Sequence, residues 1–225
     1  IFNLKPNDKV YLTGGEINGT AFGNEKGGYV GISGGVWNGS ISSVKEVNIS
    51  GGRLENRKAG ENSIYAIRGA EKISINGGEI YAKNTNTTDS SRAAYAISMA
   101  NKTQLTLSGN VNISASCDSG KQGSLYYSSG AYPTVDATGL ISVNSDFTLA
   151  PYFSALTSSS SALTNWMECS DANIDPLLAS IKLNVICPNA ETQAECAKYI
   201  LKAAGNYIRI VDRNAPVSKI DKGVI

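Results

Sequence analysis

The chain has 225 residues and not one histidine. That absence excludes Ser-His-Asp and Cys-His catalysis, imidazole acid–base chemistry and histidine-ligated metal sites. Charge is also sparse: Lys, Arg, Asp and Glu make up 17% of the residues, with 20 basic against 19 acidic side chains and a net charge of +1. Such a balance gives no electrostatic footprint for nucleic acid or an anionic membrane, so neither is an expected partner. No apolar run approaches the ~20 residues that cross a bilayer, and no charged segment followed by a hydrophobic stretch opens the chain. Membrane insertion by this chain is therefore not expected, and a start at Ile1 leads one to expect a fragment or a mature form.

The N-terminal half lacks cysteine altogether. The four cysteines are Cys117, Cys169, Cys187 and Cys196. There is no C-x-x-C, so zinc would require four thiolates at spacings unlike those of zinc modules, and no metal or other cofactor is expected. An even count fits two disulfides formed in an oxidising compartment, with four buried thiols as the alternative. On the first reading Cys187 and Cys196 close a short loop holding Pro188 and Asn189, and Cys117 pairs with Cys169.

Glycine is plentiful, at 23 residues, and much of it sits in a repeat. In Ile67 to Ala82 an apolar residue is followed six positions later by Ile73, then Ile75, Asn76, Gly77, Gly78 and Ile80. Ile41, Val47, Ile49, Ser50, Gly51, Gly52 and Leu54 reproduce this spacing, as do Leu4, Val10, Leu12, Thr13, Gly14, Gly15 and Ile17. Val30, Ile32, Ser33, Gly34, Gly35 and Trp37 form a partial copy. In Ile97, Leu105, Leu107, Ser108, Gly109, Asn110 and Val111 the spacing is degraded and asparagine replaces the second glycine. Alternating β-branched residues place two side chains on one face, and Gly-Gly then permits a sharp corner before a second strand. Val10, Val30, Val47, Ile73 and Leu105 are 20, 17, 26 and 32 residues apart, intervals that belong to stacked-repeat architectures. A second match, Ser63 to Ile67 with Arg92 to Ile97, aligns Tyr65 with Tyr95 and gives each repeat a further strand. Lys9, Lys45, Lys72 and Lys102 precede the main strand and are expected to protect exposed edges.

The polar stretches Arg57 to Asn62 and Asn84 to Ser91 are expected to project as corner loops, where a repeat protein's working face commonly lies. Asn84, Asn86, Asp89 and Arg92 are the candidate binding residues there. From Ser116 to Ala155 the repeat blurs, with strand alternation kept at Ile141, Val143, Phe147 and Leu149. The Ser- and Gly-rich segment Gly123 to Pro133 holds Tyr126, Tyr127 and Tyr132, a composition used by adaptable binding surfaces, or else a loop that buries its aromatics. Of the asparagines of six N-x-S/T sequences, Asn18, Asn38, Asn48, Asn86, Asn101 and Asn112, several are expected to stack as hydrogen-bonded ladders at corners; in a eukaryotic secreted protein they would be glycan acceptors.

A serine run at Ser158 to Ser161 divides residues 1–155, the repeats, from 156–225, a smaller α/β cap. The cap is expected to hold one helix capped by Asp175 with Pro176 in its first turn, and a longer one from Asn189 to Ala204 ended by Gly205. Tyr207 to Val211 returns to strand. These helices would cover an open end of the sheet stack.

The T/S/N-G-G units at Thr13 to Ile17, Ser33 to Trp37, Ser50 to Leu54 and Asn76 to Ile80 resemble the rungs of right-handed parallel β-helix proteins, above all bacterial surface adhesins and autotransporter passenger domains. The resemblance covers roughly residues 1–150. It implies an all-β, right-handed parallel β-helix exported to the bacterial cell surface, a virulence role in cell adhesion, and binding to a host glycan or protein receptor or to another copy of itself. Four cysteines and a helical ending depart from that pattern. The rival functions are a polysaccharide hydrolase or lyase, for which Asp89, Arg92, Asp118, Asp136 and Asp146 are the only nominees, and a passive stalk. Each of these aspartates also suits a turn.

Overall fold

A computed structural model describes residues 1–24, 27–59, 61–85, 91–100, 103–118, 121–127, 134–157 and 164–214, without the side chains of 164–166. Strand outweighs helix, 61% to 9%, so the chain is all-β. Its strands fall into two sheets. The smaller consists of β1 (Phe2–Leu4), β3 (Ala21–Gly23), β5 (Ile41–Ser42), β8 (Ser63–Arg68), β11 (Ala93–Met99), β13 (Lys121–Tyr127), β15 (Thr148–Pro151) and β17 (Lys182–Leu183), paired in that order. The larger holds β2 (Lys9–Asn18), β4 (Tyr29–Asn38), β6 (Glu46–Ile49), β7 (Arg53–Lys58), β9 (Lys72–Ile75), β10 (Glu79–Asn84), β12 (Gln104–Cys117), β14 (Thr134–Val143), β16 (Thr164–Cys169), β18 (Tyr199–Ala204) and β19 (Tyr207–Asp212). The chain visits the sheets alternately as far as β17, and every pairing up to that point is parallel.

The register follows the repeat. Val10 pairs with Val30, Val30 with Val47, Val47 with Ile73, and Ile73 with Leu105. Ile49, Ile75 and Leu107 form the adjoining column, and Ile17, Trp37, Leu54, Ile80 and Ile113 a third beyond the corner. In the smaller sheet Ala21, Ile41, Ile67, Ile97, Leu125, Leu149 and Leu183 align. The first copy departs from its expected place there: Phe2 pairs with Ala21, and Leu4 lies two residues further on, opposite Gly23. These columns belong to one core cluster running from Leu4 to Ile210. Each fully buried aliphatic side chain contributes roughly 1.5–3 kcal/mol by leaving water. Trp37 takes the place that Ile, Leu or Ile holds in other units, and its indole N–H donates to the Gly19 carbonyl at 2.9 Å.

The corners show why glycine recurs. Gly15, Gly35, Gly52 and Gly78 all have φ near +70°, from 69° to 77°. The residue before each later one lies against the preceding corner: a Cβ on Gly51 would stand 2.5 Å from the Ser33 carbonyl oxygen. In β12 the left-handed residue is Gly109, φ +66°, one position earlier than in intact copies. The register of β12 on β14 shifts at this point, between Gly109 and Asn110.

Beyond residue 156, where a helical cap is expected, strand outweighs helix among the described residues. Both sheets continue, through β16 on β14 and β17 on β15, and an antiparallel β18–β19 hairpin borders the larger sheet. The helix expected from Asn189 to Ala204 is reduced to α3 (Gln193–Cys196), the last of three helices in chain order. Tyr199 to Ala204 instead pairs with Tyr207 to Asp212, and Gly205, at φ +57°, is a hairpin turn residue and not a helix terminator. A short helix α1 (Phe153–Thr157) precedes the serine run, and α2 (Ile174–Ser180) begins one residue before Asp175, with Asn173 at its N-cap. Ile174 and Leu177 of α2 are buried in the core cluster, and the helix packs on β14, β18 and β19.

Cys187 and Cys196 form a disulfide. The expected Cys117–Cys169 bridge is not formed, although both side chains are buried. Cys169 pairs with Ala137, on the first arm of the larger sheet, whereas Cys117 ends the second arm opposite Asn84. The Gly109 corner separates the two.

Candidate binding face

The residues expected to form corner loops do so only in part. Arg57 and Lys58 lie in β7, and Lys58 holds Glu61 at 2.9 Å. Asn84 ends β10 fully buried, its amide donating to the carbonyls of Glu61 at 3.1 Å and Ala93 at 3.3 Å. Asn56 does the same one unit earlier, reaching the Tyr65 carbonyl at 2.6 Å. Both amides tie the larger sheet to the strand that follows in the smaller one. Their contribution is structural, which corrects the reading of Asn84 as a ligand contact. Arg92 donates to the Asn62 side chain. Asn86, Asp89 and Tyr132 lie outside the described residues.

Tyr126 and Tyr127 belong to β13 and not to a loop. Alternation separates them. Tyr127, 2% exposed, faces the main core between Met99 and Pro151, which removes it from any binding surface. Tyr126 faces outward into a second, smaller cluster with Ala93, Tyr95, Ala150, Ile186, Tyr65 and Tyr152. Tyr65 and Tyr95 are register partners with ring centroids 5.9 Å apart; Tyr95 and Tyr126 are 4.1 Å apart with planes 19° from parallel. The residue opposite Tyr95 on β13 is Gly123, where a Cβ would stand 2.2 Å from that of Ala150. With no side chain there, the third ring comes from Tyr126, three residues on. Ser98, small and between Arg68 and Tyr126 in register, leaves room for both to lean toward the column. The Arg68 guanidinium lies 5.0 Å from the Tyr65 ring centroid and caps the row.

Burial, followed by the neighbouring phenols, raises the Tyr95 hydroxyl far above its ordinary range and pushes Tyr126 up to about 12. The Tyr95 and Tyr126 hydroxyls are thus held neutral, with the Arg68 cation at the end of the row. Tyr and Arg are the side chains that dominate protein interfaces energetically. Tyr95 is itself buried between its two neighbours, so the strip presents the half-buried Tyr65 and Tyr126 rings and the exposed Arg68 outward.

The asparagine-ladder expectation holds at one corner: Asn38 donates to Asn18 Oδ1 at 3.0 Å, and both amides reach Glu16 Oε1. Of the carboxylates nominated for cleavage, Asp136 accepts from the Thr138 amide and hydroxyl, a turn role, and Asp146 pairs with Lys182 at 3.3 Å. Asp118 is exposed beyond the end of β12. Sequence reasoning missed Glu168, which the register sets opposite Asp136. Pairing of β14 with β16 brings the two together, and no local motif announces it. Among the described residues no group of three or more Cys, Asp or Glu could hold a metal ion, and no helix is long and apolar enough to cross a membrane. No family model, curated protein or solved structure matches the chain.

Proposed function

We propose that this chain is an adhesive binding protein, its two sheets wound as a right-handed parallel β-helix and displayed extracellularly on a bacterial surface. It engages a host glycan or protein receptor, or another copy of itself, and works without a cofactor. The reading is supported chiefly by Tyr65, Tyr126 and Arg68, which surround the buried Tyr95 ring as a Tyr/Arg strip on the outer face of the smaller sheet. Parallel strands in register and a polar outer wall give many weak contacts of regular spacing, which become strong when copies are clustered.

Cell adhesion and an array of glycans and matrix proteins, read for wild type and Tyr126→Ser, test it. The variant should bind at least about threefold less, since interface tyrosines are frequent hot spots. Losing one stacked, half-buried ring should cost about 1 kcal/mol beyond its area, a Tm shift of roughly 2–4 °C. Unchanged adhesion in the variant removes the column from the function; no binding by the wild type leaves a passive stalk.

A polysaccharide-cleaving reading draws on Asp136 and Glu168, opposite one another on β14 and β16. Asp136 is held by Thr138, and Glu168 accepts from the Asn206 amide at 2.9 Å. Depolymerisation of a polysaccharide that disappears in both Asp136→Asn and Glu168→Gln would favour that reading over adhesion.

A further inference from the structure

The outer wall of the larger sheet carries a second aromatic feature. Tyr11 on β2 and Tyr29 on β4 have ring centroids 5.3 Å apart and planes at 46°. Both rings lie down over Gly31, the register partner of Tyr11: a Cβ at Gly31 would meet Tyr11 Cδ1 at 2.9 Å and Tyr29 Cε1 at 3.1 Å. Tyr11 is 59% exposed, among the most open large side chains described. Beside it is a concavity of about 460 Å³ whose lining includes Asp8, Lys9, Lys45 and Glu46 as well as the two tyrosines.

This geometry differs from that of the tyrosine column on the smaller sheet. There the rings stack nearly parallel and cover one another's faces; here the planes meet at a steeper angle and Tyr11 is more than half exposed. The polar groups around it mix carboxylate, ammonium, amide and phenol at short range. A partner that offers an apolar ring face together with a rim of hydroxyl groups fits such a surface. A flat hydrophobic partner would leave the carboxylates and ammonium groups without replacement for their water. The volume is within the range of about 300–1,000 Å³ usual for small-ligand sites.

We propose that Tyr11 and Tyr29 form a saccharide subsite. The C–H face of a pyranose stacks on Tyr11, Asp8 and Glu46 accept from sugar hydroxyls, and Lys9 and Lys45 donate to sugar oxygens. The subsite rests on the adhesive function proposed above, and it assigns a ligand class and a place separate from the Tyr126 column.

The test is an array of neutral and uronic-acid saccharides with the intact chain, followed by titration of the strongest binder against four variants. Tyr11→Ala should weaken binding at least about tenfold, Tyr11→Phe should stay within about threefold because the ring face is kept, and Gly31→Val should weaken binding by lifting both rings. Ile141→Ser, at an exposed position of β14 outside both aromatic features, should leave saccharide binding unchanged. Wild-type affinity in Tyr11→Ala, or a Tyr11→Phe loss as large as that of Tyr11→Ala, overturns the stacking site. If no saccharide binds while cell adhesion remains sensitive to Tyr126→Ser, the subsite is wrong and the adhesive function stands. Absence of both kinds of binding sinks both.

Discussion

At the scale of single residues, neighbours in sequence take opposite assignments. Tyr126 and Tyr127 share a composition and a strand, yet one faces outward and the other is sealed in the core, because side chains alternate along β13. The column that contains Ile75 offers a sharper test. Ile75 is 1% exposed and flanked in register by Ile49 and Leu107. A carboxylate introduced there meets only apolar side chains above and below, so Ile75→Asp should cost several kcal/mol, of the order of ~3–5. A urea titration measures this. A midpoint within error of wild type would mean that the three residues do not stack.

At the scale of elements, the least regular part of the chain is held covalently. The Cys187–Cys196 disulfide joins the segment that follows the Tyr152–Ile186 bridge to the end of α3, just before β18. The loop it closes has a sequence separation of 9, which on chain-entropy grounds corresponds to roughly 2–3 kcal/mol. Cys187→Ser with Cys196→Ser should lower stability by about that amount, and peptide mapping without reductant should give a single linked pair. A Cys117–Cys169 linked peptide would contradict the register described. The same region shows where sequence reading stops. Corners built on Gly-Gly were legible because φ near +70° and close approach of the next unit both demand glycine, and two alternating aliphatic residues before each fix the face. Ala194, Ala197, Ile200, Leu201 and Ala204 sit at helical spacing too, but Tyr199 to Ala204 gains a full antiparallel partner in Tyr207 to Asp212. Tertiary pairing overrides local periodicity there. Similarly, Gly and Ser around Tyr126 signalled a loop, whereas Gly123 is small to clear Ala150. The partnership of Tyr126 with Tyr65 and Tyr95 required knowing that three strands stack, and only the Tyr65–Tyr95 match was visible beforehand.

At the scale of the whole molecule, phenols and a thiol buried against the two sheets link stability to alkaline pH. Burial, the first cause in each case, raises Tyr95, Tyr29 and Tyr199, lifts Tyr126 to about 12, and moves the Cys169 thiol, with a smaller push from Glu168, to about 11. All these groups are neutral when protonated, and the folded chain holds their protons more tightly than the unfolded chain, whose values are near ~8.5 for cysteine and ~10 for tyrosine. Their contribution is therefore complete below the unfolded values and is lost as pH rises toward the folded ones, because the unfolded state then binds fewer protons. Thermal midpoints should stay level from neutral pH to roughly 8.5–9 and fall steeply through about 10–12, with tyrosinate absorbance appearing together with unfolding. Tyr126→Phe should remove its own share of the fall while keeping the stacked ring. A midpoint that holds level to the folded values, or tyrosinate formed in the native state well below them, would mean that the outer column is open to solvent and could not act as the apolar strip on which the proposed adhesive contact depends.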